Sequence, residues 1–87
     1  MSLDEEMIVC AVRYALGRRT YIVEDVIQYI LKNKDSISGY CKNIIIRDVT
    51  EHLNTYKRLK LGYCYGEFEK AWIMLVKRLR GESNGEV

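Results

Sequence analysis

The chain has 87 residues and a mass of 10.2 kDa, which is the size of a single domain. Hydrophobic residues make up 48% and charged residues 30%, a balance that excludes intrinsic disorder, and the net charge of +2 is too small to indicate nucleic-acid binding by itself. The sequence contains no run of about 18 apolar residues, so it predicts no transmembrane helix. The acidic residues at 4–6 argue against a signal peptide.

The first predicted element is a helix that begins near Leu3. Its expected buried face follows helical spacing and comprises Met7, Cys10, Ala11 and Tyr14, widened by Val12 and Ala15. The acidic residues of the first turn suit the positive end of the helix dipole. Gly17 can adopt the left-handed conformation that ends a helix, so we expect the helix to stop there.

The second predicted helix has the clearest pattern in the chain. Its apolar residues recur at i, i+3, i+4, i+7 and i+8: Val23, Val26, Ile27, Ile30 and Leu31. Thr20 is the expected N-cap, and Lys32 and Lys34 lie at the far end. The alternation over 21–23 would also fit one or two extended residues before the helix.

The third predicted helix follows a polar connection over 33–38, in which Ser36 or Ser38 could cap it. Its apolar stripe gives a length of roughly twenty residues: Tyr40, Cys41, Ile44, Ile45, Val49, Leu53, Tyr56 and Leu59. Ile46 and Leu61 fall outside this stripe, so they either pack at the helix edge or are exposed. Two glycines and two tyrosines over 61–66 predict a loop.

The fourth predicted helix again has one apolar face, and Gly81 is expected to end it. The face comprises Phe68, Trp72, Leu75, Val76 and Leu79. Four amphipathic helices with short connections and no proline predict an all-α fold, a compact bundle of about four helices. We assign residues 1–81 to this single helical domain and residues 82–87 to a polar tail.

The sequence gives little support for catalysis, and we predict no enzyme, no cofactor and no metal site. The only histidine, His52, shares a helix face with Asp48, but no nucleophile is paired with it locally, so a solvated helix pair is the preferred interpretation. Cys10, Cys41 and Cys64 are widely separated and form no short metal-ligand pair. We expect them to be reduced, buried thiols of a cytoplasmic protein.

Tyrosines and basic residues provide the candidate binding surface. Tyr14, Tyr40 and Tyr56 lie on apolar stripes and are expected at the edge of the core. Other tyrosines and the basic helix ends suit a protein interface, although the helix dipole alone accounts for much of the basic charge. The predicted partner-binding residues are Arg18, Arg19, Lys57, Arg58, Lys60, Tyr63 and Tyr65.

One segment carries a resemblance to a known group of proteins. The residues over 11–23, AVRYALGRRTYIV, resemble a segment of small, mostly uncharacterised bacteriophage and prophage proteins, in which a later helix like Trp72–Leu79 tends to follow. This resemblance implies a phage origin and a protein that binds and modulates a bacterial host or defence protein, as anti-CRISPR inhibitors do. It implies no catalytic residue. Packing alone does not require Arg13, Arg18 and Arg19 of this segment, and they could pair with Asp25 or Asp48.

Two alternatives stay open at this point. The second and third helices could form the helix-turn-helix of a DNA-binding regulator. The recognition helix would then present Lys42, Asn43, Arg47 and Glu51, a mixed charge that is unfavourable for binding in the major groove. The chain could also form a homodimer that uses Ile46 and Leu61 as its seam. The expected partners are therefore a bacterial protein, with nucleic acid or a second copy as alternatives, and no membrane.

Overall fold

The computed structural model describes residues 2–18, 21–59 and 66–81, with the side chains at 56–59 and 66–67 excepted. These residues form four α-helices: α1 (Leu3–Ala15), α2 (Tyr21–Lys32), α3 (Gly39–Leu59) and α4 (Gly66–Leu79). A short 3-10 helix, Lys34–Ser36, lies between α2 and α3, and the described ranges contain no strand. The prediction of an all-α bundle of about four helices is confirmed.

The helices surround one hydrophobic core. α1 packs against α2 and α3, and α4 packs against the same two helices. The order around the bundle is therefore α1, α2, α4 and α3, with α1 opposite α4. None of the described helices is both long enough and apolar enough to cross a lipid bilayer. The buried residues are Val9, Val12, Ala15, Val23, Ile27, Ile30, Ile37, Cys41, Ile45, Val49, Trp72, Leu75, Val76 and Leu79.

The two helices with a single apolar stripe bury the residues that the sequence predicts. In α2, Val23, Ile27 and Ile30 are buried, and Val26 and Leu31 pack against the core. In α4, the face that contains Trp72 is buried in the same way. Because each of these helices has only one apolar face, the periodicity determines its orientation. Ile46 of α3 is partly buried against the core, so it packs at the helix edge.

Helix α1 is turned differently from the prediction. Its buried residues are Val9, Val12 and Ala15, whereas Met7 and Tyr14 are 63% and 55% exposed. Cys10 is exposed as well. Val12 and Ala15 are buried as predicted, but Met7, Cys10 and Tyr14 are not, because α1 carries apolar side chains on two faces. Periodicity alone cannot show which of two apolar faces meets the other helices.

The N-terminal cap of α3 joins Ser38, the residue before the helix, to Glu5 of α1. Ser38 is the cap residue: its Oγ accepts a hydrogen bond from the Cys41 backbone N–H, 3.2 Å away. The Ser38 backbone N–H donates to Oε2 of Glu5 in α1 (2.7 Å), and the Ser38 hydroxyl donates to Oε1 (3.1 Å). These bonds hold the pKa of Glu5 below its ordinary value, the backbone bond from Ser38 being the largest cause. Ser38, and not Ser36, is therefore the cap.

The glycines at two helix ends behave as predicted. Gly17 and Gly81 have φ values of 86° and 85°, which only glycine adopts readily. α2 is helical from Tyr21, so no extended residue precedes Ile22 in the described range. Gly66 belongs to α4 and not to the predicted loop. The expected cap Thr20, the seam residue Leu61 and the tail over 82–87 lie outside the described residues.

The two described cysteines differ in accessibility. Cys41 is fully buried, and burial raises the pKa of its thiol, whereas Cys10 lies on the surface, which corrects its predicted burial. Both are free thiols, and Cys64 lies outside the described residues. We expect a small alkylating reagent to modify Cys10 in the native protein and Cys41 only when the protein unfolds. Peptide mass spectrometry after timed labelling measures this, and rapid native labelling of Cys41 would contradict the packing of α3.

Candidate functional site

The predicted partner-binding residues are only partly described. Arg18 lies after α1, where its guanidinium stacks over the Tyr14 ring at 3.8 Å from the centroid and donates to the Tyr14 carbonyl. Both contacts hold the side chain against the C-terminal end of α1. The backbone at 57–58 is helical, but the side chains of Lys57 and Arg58 are not described. Arg19, Lys60, Tyr63 and Tyr65 lie outside the described residues.

The Asp48 carboxylate forms a structural ion pair with Arg13. Its Oδ2 accepts a hydrogen bond from Nε of Arg13 in α1 at 2.8 Å, and its Oδ1 lies 3.4 Å from Nη2 of Arg47. The pairing of Arg13 with Asp48 agrees with the partners suggested for the arginines of the 11–23 segment. Burial lowers the pKa of the neighbouring His52. In the described part of the chain, no three His, Cys, Asp or Glu side chains are placed to hold a metal ion.

The basic end of α4 is divided between two sides of the helix. Arg78 borders a surface depression with Lys32 of α2, whereas Lys77 and Arg80 border another depression beside Asn54 of α3. On α3, the guanidinium of Arg47 is directed to Asp48. The basic side chains described here therefore do not gather into one cationic face.

Exposed apolar side chains gather on α1 and α2 instead. Five of the seven large hydrophobic residues that are exposed in the described structure lie on these two helices. They are Leu3, Met7, Tyr14, Tyr21 and Tyr29, and the other two are Tyr40 and Ile73. Tyr14 and Tyr40, which were expected at the core edge, are 55% and 67% exposed, so that prediction was wrong. Because apolar exposure concentrated on one side of a small domain commonly marks an interaction site, this side is the candidate site.

A groove between α1 and α2 forms one part of this side. Its volume is about 290 Å³. Apolar groups from both helices form most of the lining, which comprises Met7, Ile8, Ala11, Val26, Tyr29 and Ile30 together with the carboxylates Asp4 and Asp25. We call this feature the α1–α2 groove.

The α1–α2 groove is acidic. Among the described residues, no basic side chain lines it, and neither Asp4 nor Asp25 forms an ion pair. Two unpaired carboxylates beside an apolar surface create a negative potential in a region from which a ligand would displace water. The groove therefore suits a ligand that is both apolar and positively charged.

A strip of side chains along the outer surface of α1 forms the second part. Leu3, Met7, Cys10 and Tyr14 are separated by four, three and four residues, so they lie in one row along the helix. All four are exposed, and the row points away from the buried face that contains Val12. We call it the α1 strip. The sequence did contain its signal, because Met7, Cys10 and Tyr14 belong to the apolar face that was predicted to be buried.

The α1–α2 groove was not predicted from the sequence. Its lining combines residues from two helices, and the spacing within either helix does not show which side chains meet across the interface. Comparisons of the chain with models of known protein families, with curated proteins and with solved structures found no match.

Proposed function

We propose that this protein acts by binding another protein at the α1–α2 groove and not by catalysis. The observation that carries the proposal is the groove itself, an apolar surface open to solvent whose two carboxylates, Asp4 and Asp25, lack basic partners in the described structure. Tyr29 lines the same groove and is 57% exposed. Tyrosine is enriched at protein interfaces because it supplies a large apolar area with a polar end.

The chemistry of the groove suggests what it binds. A volume of about 290 Å³ lies at the lower end of the range for small-molecule sites. It suits one or two anchoring side chains, which commonly supply most of the binding energy at a protein interface. The unpaired carboxylates favour a Lys or Arg close to the anchor. The proposed partner segment is therefore an amphipathic helix with an apolar residue and a basic residue on one face.

The resemblance of residues 11–23 to phage and prophage proteins supports a more specific form of the proposal. In that form the partner is a bacterial host or defence protein, and this chain is an inhibitor or adaptor in the cytoplasm of the bacterial cell. A CRISPR nuclease is one candidate partner. This part depends on the resemblance and on the small size of the chain, whereas the preference for a basic, apolar segment depends on the groove.

The test is affinity capture from nuclease-treated bacterial lysate with matched charge variants. The test variant is Asp4→Lys with Asp25→Lys, and the control is Asp35→Lys with Glu51→Lys, which makes the same charge change at exposed positions outside the groove. We expect one protein to be captured by the wild type and the control. The groove variant is expected to bind it at least about tenfold more weakly.

Two results would contradict the proposal. One is a captured protein that binds the groove variant as strongly as the wild type. The other is the loss of every captured protein on nuclease treatment, together with an affinity for DNA that falls steeply as salt is raised. The second result would indicate a DNA-binding regulator. Thermal unfolding of each variant, followed by circular dichroism, verifies that the substitutions leave the fold intact.

A further inference from the structure

We infer that the α1 strip is a self-association surface, which pairs with the α1 strip of a second copy of this chain in antiparallel orientation. The spacing of four, three and four residues is the spacing at which two helices interlock side chains along a shared seam. Four successive positions of that seam are occupied by Leu3, Met7, Cys10 and Tyr14, and all four are exposed in the single chain.

The positions of the charges on α1 determine the orientation of the pair. Asp4 and Glu6 lie in the first turn, whereas Arg13 lies in the last turn and Arg18 just after the helix. A parallel pair would place the acidic turns side by side and the arginines side by side. An antiparallel pair places Asp4 of each copy beside Arg18 of the other copy, so opposite charges meet at both ends of the seam, whereas Arg13 is already paired with Asp48.

The register follows from the symmetry of the strip. Its midpoint falls between Ile8 and Val9, and a two-fold axis there places Leu3 opposite Tyr14 of the second copy and Met7 opposite Cys10 of the second copy. Because the Arg18 guanidinium stacks on Tyr14, it lies near the level of the Tyr14 ring. In the antiparallel pair that level coincides with the first turn of the other helix, which carries Asp4.

A membrane surface suits the α1 strip less well than a second copy does. Helices that lie on membranes usually carry Lys and Arg beside their apolar face, whereas the first turn of α1 is acidic. A pair of 13-residue helices forms a small interface, below about 1,200 Å² in total, so the dimer is expected to be weak and to depend on concentration. Met7 and Asp4 also line the α1–α2 groove, but the inference does not depend on the proposed function, because self-association is measured on the purified chain without a partner.

Sedimentation velocity over a concentration series tests whether the dimer forms, and variants of exposed residues test whether the α1 strip is its interface. Met7→Glu places two charges at the centre of the seam, since the symmetry repeats each substitution, and is expected to weaken self-association at least about tenfold. Tyr40→Glu is the matched control, because Tyr40 is equally exposed but lies on α3. A wild type that stays monomeric at every concentration overturns the inference, as does a dimer that Met7→Glu leaves unchanged.

Charge exchange tests the antiparallel orientation independently. Asp4→Arg and Arg18→Asp each place like charges at both ends of the seam, so each variant alone is expected to be monomeric. Mixed together, the two chains restore both opposite-charge pairs and are expected to form a heterodimer. A mixture that stays monomeric, or single variants that dimerise as well as the wild type, contradicts the antiparallel pair. Circular dichroism of each variant verifies that loss of the dimer is not loss of the fold.

Discussion

Replacing Trp72 by alanine is expected to lower the free energy of unfolding by about 3–5 kcal/mol, the largest effect of any single substitution proposed for this chain. Trp72 is the largest side chain that is fully buried in the described structure, and α4 places it in the core that all four helices share. A domain of this size has a total stability of about 4–13 kcal/mol. The variant should therefore be partly unfolded at room temperature if the protein lies near the lower limit.

Trp72→Phe is the comparison that separates packing from hydrogen bonding. The indole Nε1 of Trp72 is buried and has no hydrogen-bond partner among the described residues. Phenylalanine keeps most of the apolar volume and removes no hydrogen bond, so we expect a loss of only about 1–2 kcal/mol. Urea unfolding followed by circular dichroism measures both values. A loss for Trp72→Phe that clearly exceeds about 2 kcal/mol would show that the indole N–H donates a hydrogen bond in the folded protein.

The fold could be predicted from the sequence where each helix had one apolar face. The single apolar stripe of α2 and of α4 leaves the water only when that face of the helix meets the core. Both helices bury the predicted face. α1 carries two apolar rows, one through Val12 and one through Met7, and the prediction placed both on one buried face, whereas only the row through Val12 is buried. Helical spacing reveals that a row exists, but only packing against α2 and α3 determines which row is buried.

Contacts between distant residues could not be predicted in the same way. The bonds from Ser38 to Glu5 join residues 33 apart in the chain, and the ion pair of Arg13 with Asp48 joins residues 35 apart. Nothing in the local pattern around Glu5 distinguishes it from Asp4 or Glu6. What selects Glu5 is its position on the side of α1 that faces the start of α3. That position depends on how the two helices pack.

The predicted partner-binding residues stay a prediction, because most of their side chains lie outside the described residues. The sequence identified tyrosines as markers of an interface, and Tyr21 and Tyr29 are indeed exposed. It favoured basic side chains, whereas the α1–α2 groove is acidic, because Asp4 and Asp25 come from separate helices whose charges meet only in the folded chain. Of the two residues predicted for a homodimer seam, Ile46 is partly buried against the core and Leu61 lies outside the described residues, so that seam stays a prediction.

The shared cap of α3 gives the second prediction, in which two substitutions act through the same bonds. Ser38→Ala removes the cap of the Cys41 N–H and is expected to lower the free energy of unfolding by about 1 kcal/mol. Glu5→Ala removes the acceptor of the Ser38 N–H and is expected to destabilise the protein at neutral pH. Because both act on one set of bonds, the double variant should lose less than the two single losses together.

The pH dependence of the free energy of unfolding tests whether the charged carboxylate of Glu5 makes the contact with Ser38. The pKa of Glu5 in the folded chain lies below its ordinary value of 4.5, mainly because the Ser38 backbone N–H stabilises the charged form. The unfolded chain therefore binds more protons in this range, and the stabilisation from Glu5 is complete above pH 4.5 and declines as the pH falls through the lowered folded pKa. The difference in stability between the wild type and Glu5→Ala should shrink over the same range.

Glu6→Ala is the control for this titration, because Glu6 lies in the same turn and its side chain makes no hydrogen bond to Ser38 in the described structure. His52 is common to all the variants, so its titration cancels when the differences are taken. Urea unfolding from neutral to acidic pH gives the measurement. A difference for Glu5→Ala that stays constant as the pH falls would show that a neutral contact, and not the carboxylate, joins α1 to the start of α3.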